Sequence, residues 1–254
     1  MHPRVSVNNL SSLRQSLTDD LAMWRQLGVG HVGLISPKAE ASGWEGTRDL
    51  VRRAGVRVSN IAAEEHVLAE SIELAAALGA GCAYICSGGA GAAAWGDAAA
   101  AFAARIAPAV ALGERLGVRV GVEPTNPLRT DMSFVFCARD AIDLARATGT
   151  AVVLDLYSCW YERDFDKLVH NNIDVVALVQ LGDYTLGTFD TPNRVAVGDG
   201  DIPFARLVAS LLDAGYAGAF DLEVLGPRVE AEGYPPVIAR SVARMSELLD
   251  RLGA

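Results

Sequence analysis

At 254 residues, the chain has about the length of one α/β barrel domain, ~250 residues, and at 51% hydrophobic it is too apolar to be disordered. The net charge of −9 and the absence of any Lys/Arg run exclude the basic patch that a nucleic-acid binder needs. No apolar run reaches the ~18 residues of a membrane helix, and MHPRVSVNNL lacks the apolar stretch of a signal peptide. Together with four scattered cysteines (Cys82, Cys86, Cys137, Cys159), this predicts a reduced, cytoplasmic protein with no membrane partner.

Strand-like and helix-like segments alternate from end to end. A strand is expected at 4–8 (RVSVN), a helix at 16–27, a strand at 31–35 (HVGLI) and a helix at 44–54. Strand 56–62 (VRVSNIA), helix 64–78, strand 82–87 (CAYICS) and helix 94–116 follow. The second half gives strand 118–123 (VRVGVE), helix 135–147, strand 151–156 (AVVLDL), helix 163–170, strand 175–181 (VVALVQL), helix 203–214, strand 219–224 (AFDLEV) and helix 236–252. Five helices run into glycine just before the next strand, at Gly28, Gly55, Gly79, Gly117 and Gly215, as left-handed helix stops do. Eight βα units in series predict one domain over residues 1–254, a single (β/α)8 TIM barrel. The biased segment 88–101 (GGAGAAAWGDAAAA) reads as a loop entering an Ala-rich helix. No Lys or Ser/Thr follows it at the spacing of a phosphate-binding loop.

Four polar residues close four successive apolar runs: Glu123, Asp155, Gln180 and Glu223. A carboxylate at such a place is costly to bury unless it is paired or binds a metal. Three carboxylates and one amide oxygen at adjacent strand ends predict one cluster of hard ligands for a divalent cation. In a barrel of this kind they would line the C-terminal mouth, where chemistry sits. The loops at that mouth add Lys38 and Trp44 after strand two, then Glu64, Glu65 and His66 after strand three. Arg129, Ser158, Trp160, Asp183, Tyr184 and Arg194 come from later loops. Of these, Ser158, Trp160, Asp183, Arg194, His66 and Lys38 are the expected substrate contacts. Arg194 has two readings, substrate charge or a salt bridge to Asp199 or Asp201. His31 and His170 are read as structural. Trp44, Trp95 and Trp160 either line the pocket or are core or interface residues.

At GVEPTNP, VVLDLYSCW, ALVQLGDY, the run from Arg194 to Ile202 (RVAVGDGDI) and GYAGAFDLEV, the chain resembles the xylose isomerase-like barrel superfamily. The resemblance is to its sugar phosphate isomerase/epimerase branch. It implies one divalent metal ion (Mg, Mn or Co) held by Glu123, Asp155, Gln180 and Glu223. Epimerase-like members have His at the third position, whereas members similar to hydroxypyruvate isomerase have Gln and also carry the DLY sequence, here Asp155-Leu156-Tyr157. Ser158 stands where many relatives have a substrate-binding His. The implied function is a metal-dependent isomerase or epimerase of a keto-sugar or related hydroxy-carbonyl compound, within carbohydrate metabolism. Its proton transfer would run through a metal-bound enediolate, with Glu123 and Glu223 as the catalytic pair. The alternatives are a metal-dependent lyase, a dehydratase or an enzyme cleaving a C–O or C–C bond beside a carbonyl, which Ser158 and the tryptophans favour, and a non-catalytic binding protein. The expected partner is a small-molecule substrate, and a homo-oligomer is left open.

Overall fold

The computed structural model describes residues 1–254. The expected strands all form: β1 (Val5–Asn8), β2 (His31–Ile35), β3 (Arg57–Ala62), β4 (Cys82–Cys86), β5 (Arg119–Glu123), β6 (Ala151–Asp155), β7 (Val176–Leu181) and β8 (Phe220–Leu222). They pair in parallel, each with the next, and β1 pairs with β8 to close a barrel. Both faces of such a sheet are covered, which is why the strands read as near-continuous apolar runs. The helices form the outer ring of a (β/α)8 TIM barrel. At Gly28 and Gly117 the chain turns at φ of 67° and 70°, and each caps the preceding helix before the next strand.

The differences from expectation lie in the loops. Helix 135–147 starts at Ala138, because Phe134 and Val135 are buried and the Val135 carbonyl accepts a bond from the Thr125 N–H. Helix 64–78 starts at Leu68 after a tight turn at Glu65–Val67. Besides the turn Ile173–Val175 before β7, four short helical pieces were not expected: Asn9–Ser12, Ser36–Ser42, Leu156–Cys159 and Pro227–Glu232. Each follows a strand closely and forms part of the mouth, and each is too short to give a periodic hydrophobic signal.

Inside the barrel the side chains form layers. Cys82, Tyr84, Val153 and Leu178 make a small apolar cluster separate from the main core between sheet and helices. Beside it lies a buried polar knot. Asp221 accepts hydrogen bonds from Ser6 Oγ (2.6 Å), Asn8 Nδ2 (3.0 Å) and Asn60 Nδ2 (2.9 Å). Gly33 makes room for the knot: a Cβ there would stand 2.7–2.9 Å from Asp221, Asn8 and Asn60. No helix is long and apolar enough to cross a membrane.

Candidate active site

Alternation along the strands aims one set of side chains at the barrel axis. Glu123 ends β5, Asp155 ends β6, and Gln180 lies opposite Asp155 on β7. Glu223 falls one residue past β8, its N–H bonded to the Leu181 carbonyl. All four are buried. Asp155 also caps the short helix behind it, accepting from the Tyr157 N–H (3.0 Å) and the Ser158 hydroxyl (3.2 Å).

Arg194 joins this group. Its Nη2 lies 2.9 Å from Asp155 Oδ2 and 3.1 Å from Glu223 Oε1, and its Nη1 donates to the Glu223 carbonyl (3.1 Å). The guanidinium carbon sits 4.4 Å from the centre of the Tyr157 ring. A salt bridge to Asp199 or Asp201 is therefore not what Arg194 makes. Asp199 pairs with Arg240 and Arg244, and Asp201 accepts from the Leu186 N–H. Burial would lower the Arg194 pKa, but the carboxylates of Asp155, Glu223 and Glu123 outweigh it and keep the guanidinium charged.

Gln180 Nε2 donates to the Tyr84 hydroxyl (2.8 Å) and to the Glu223 carboxylate, while its Oε1 is buried without a partner. Burial pushes the Glu223 carboxyl up to about 7, against the pull of Arg194. Burial, then the charges of Glu223 and Asp155, raise the Glu123 carboxyl well above the usual carboxylate range. Glu123 has no hydrogen-bond donor or ion pair within the protein, and its carboxylate faces the cavity.

In charge and chemistry, though not in spacing, the donor set fits a hard divalent cation. Three carboxylates face one guanidinium, an excess of two negative charges when all are ionised, and the Gln180 Oε1 is a buried oxygen in want of a partner. The carboxylates do not themselves converge to within 4.8 Å as a trio, since Arg194 bridges Asp155 and Glu223. The trio that does converge is Glu40, Glu64 and His66, exposed on the rim.

A cavity of about 600 Å³ opens above the site, lined by Glu123, Glu223, Arg194, Ser158 and Tyr84 among others. Asp155 and Gln180 lie behind this lining. Several expected substrate contacts have other work. Lys38 reaches the lining, but its ammonium donates to the carbonyls of Asn9 (2.8 Å) and Ser12 (2.9 Å) and to Asp20 Oδ2 (2.7 Å), which uses all three protons. Asp183 is a loop anchor: its carboxylate accepts from the N–H groups of Tyr184, Gly198, Gly200 and Ile202. Trp160 stacks edge-on against Tyr161 outside this cavity. Trp44 packs on the core and Trp95 meets Phe134, so no tryptophan lines the cavity. His66 is exposed between Glu40 and Glu64. Tyr84, Asn60 and Asp221 belong to the site's surroundings without standing at a strand end in the sequence. Only the alternation of Asp221 with Glu223, two residues apart on one face, carried a signal.

Residues 61–248 match the family model described as xylose isomerase-like TIM barrel. No protein of curated function matches the chain in sequence. Among solved structures, a protein of Sinorhizobium meliloti superposes with a TM-score of 0.83 at 20% identity, covering 98% of each chain. The IolI protein, whose structure holds a zinc atom, gives 0.82 at 12% identity over 98% of this chain and 99% of its own. The D-allulose 3-epimerase of Methylomonas sp. gives 0.77 at 14% identity over 97% and 98%. At these identities the structures speak for the fold. The family match covers most of the sequence, and the chain belongs to the xylose isomerase-like TIM barrel family.

Proposed function

We propose that the protein is a divalent-metal-dependent isomerase or epimerase of a hydroxy-carbonyl compound. The observation that carries this reading is Glu123: a buried carboxylate with no protein partner, facing the same cavity as a second buried carboxylate, Glu223. A proton-transfer enzyme needs a base that is free to move a proton and a second group to return it. Glu123 fits the first role at the carbon beside a substrate carbonyl, and Glu223 the second. Arg194, 3.1 Å from Glu223 Oε1, holds that carboxylate in place and offsets its charge. Epimerases among the structural relatives support the same class of chemistry.

Glu123, Asp155, Gln180 and Glu223 would hold the cation. When bound, it would supply Lewis-acid polarisation of the substrate carbonyl. An all-oxygen donor set favours Mg or Mn over the softer metals.

Keto-sugars and hydroxy-ketones incubated with the protein and Mg in D₂O, followed by NMR, test this reading. Deuterium should enter at the carbon beside the carbonyl, and Glu123→Gln and Glu223→Gln should each slow this by ~10²–10⁴-fold, the usual worth of a positioned acid or base. Near-normal exchange in both variants with the metal still bound would refute the pairing. Loss of water instead of exchange would turn the assignment to a lyase.

A further inference from the structure

The cavity lining holds two unlike sets of side chains. One presents the carboxylates of Glu123 and Glu223 with Arg194 and Ser158. The other forms an apolar wall of Leu10, Leu13, Leu17, Ile35, Met132 and Leu225, drawn from the end of β2 and the segments after β1, β5 and β8. Leu13 is 50% exposed and Met132 39%, so the wall's rim shows large apolar surface to whatever enters. A purely hydroxylated sugar has little to offer such a wall, whereas an apolar body removed from water against it gains binding energy in proportion to area.

The lining has three cationic side chains, and each has a carboxylate partner within the protein. Lys38 is held by Asp20 and two carbonyls. Arg129 makes a two-point pair with Asp131 (2.9 and 2.8 Å). Arg194 is locked between Asp155 and Glu223. Phosphate recognition needs a free cation or a fork of donors. Here the other charged groups of the lining, Glu64, Glu123 and Glu223, would repel a phosphate. A volume of about 600 Å³ lies within the ~300–1,000 Å³ of sites for drug-sized ligands.

We propose that this cavity takes an uncharged hydroxy-carbonyl compound bearing an apolar body, with the hydroxy-carbonyl end toward Glu123 and Glu223 and the body against the Leu13–Ile35–Met132 wall, rather than a phosphorylated sugar. The orientation of the reactive end rests on the isomerase or epimerase reading. The selectivity of the wall does not.

Three probes sharing one hydroxy-ketone unit separate the alternatives: 2-hydroxyacetophenone, dihydroxyacetone and dihydroxyacetone phosphate. Each is titrated against the full chain in Mg by ligand-observed NMR. The aryl ketone should bind ~10-fold or more tighter than dihydroxyacetone, from burial of its ring, and the phosphate should bring no gain. Leu13→Gln, at a half-exposed position where folding is safe, should cut the aryl preference ~3-fold or more. Asp131→Asn, which releases Arg129, should improve binding of the phosphate. Tighter binding of the phosphate than of dihydroxyacetone by the unaltered chain, or equal binding of all three, overturns the proposal. So does an aryl preference that Leu13→Gln leaves intact. Exchange of the hydroxymethyl protons with D₂O is read in the same samples. Exchange without aryl preference overturns the substrate class and keeps the isomerase reading. Aryl preference without exchange does the reverse.

Discussion

Arg194 is the residue on which the electrostatics of the mouth turns. It touches Asp155 and Glu223 at once and lies over Tyr157. Removing one partner of a buried ion pair leaves an uncompensated charge and costs about 3 kcal/mol or more. Arg194→Met should therefore lower stability by about that much in urea unfolding. If Glu123, Asp155, Gln180 and Glu223 are cation ligands, Mg should return a larger share of stability to Arg194→Met than to the unaltered chain. An equal effect of Mg on both would argue that the carboxylates do not share a cation.

At the scale of single elements, the mouth is built by short pieces that follow the strands. The turn Asn9–Ser12 and the helices Leu17–Leu27 and Ser36–Ser42 meet at one buried ion pair, Lys38 with Asp20, where Ser12 Oγ also donates to Asp20 Oδ1 (2.6 Å). Burial raises the Asp20 pKa, and Lys38 and Ser12 oppose it. Lys38→Met keeps the length of the side chain but strands Asp20 and two carbonyls. It should cost about 3–5 kcal/mol, readable as a fall in urea midpoint. A loss below about 1 kcal/mol would mean that the pair behaves as a surface bridge, and Lys38 would again be open to a role with substrate.

For the whole molecule, closure of the barrel brings residues from opposite ends of the chain together. Asp221 on β8 accepts from Ser6 and Asn8 on β1 and from Asn60 on β3, and this ties the closing strand to the opening ones. Asp221→Asn has nearly the same shape, but its amide would set a donor against donors. The expected loss is about 2 kcal/mol, the cost of a buried unsatisfied polar group. It should appear as a lower urea midpoint at unchanged slope, because the same surface is exposed on unfolding. A change in slope would mean that the barrel opens piecewise at the β1–β8 seam.

The order of elements was legible along the chain because both of its signals are local. An apolar run of strand length and a glycine at the end of a helix depend on neighbours a few residues away, as at Leu27-Gly28 and Leu116-Gly117. The positions of Glu123, Asp155, Gln180 and Glu223 at one end of the barrel followed from the same pattern, since equivalent strand ends in a parallel barrel share a face. What each polar side chain binds was decided only by folding. Asp183 and Lys38 stand in mouth loops as expected, yet the backbone amides around Asp183 and the carboxylate of Asp20 consume their bonding capacity. Arg194 crosses from its loop to β6 and β8, and Tyr84 on β4 meets Gln180 on β7 across the barrel. Such partners lie up to 96 residues apart along the chain, and a hydrogen bond depends on position in space, which spacing along the chain does not encode.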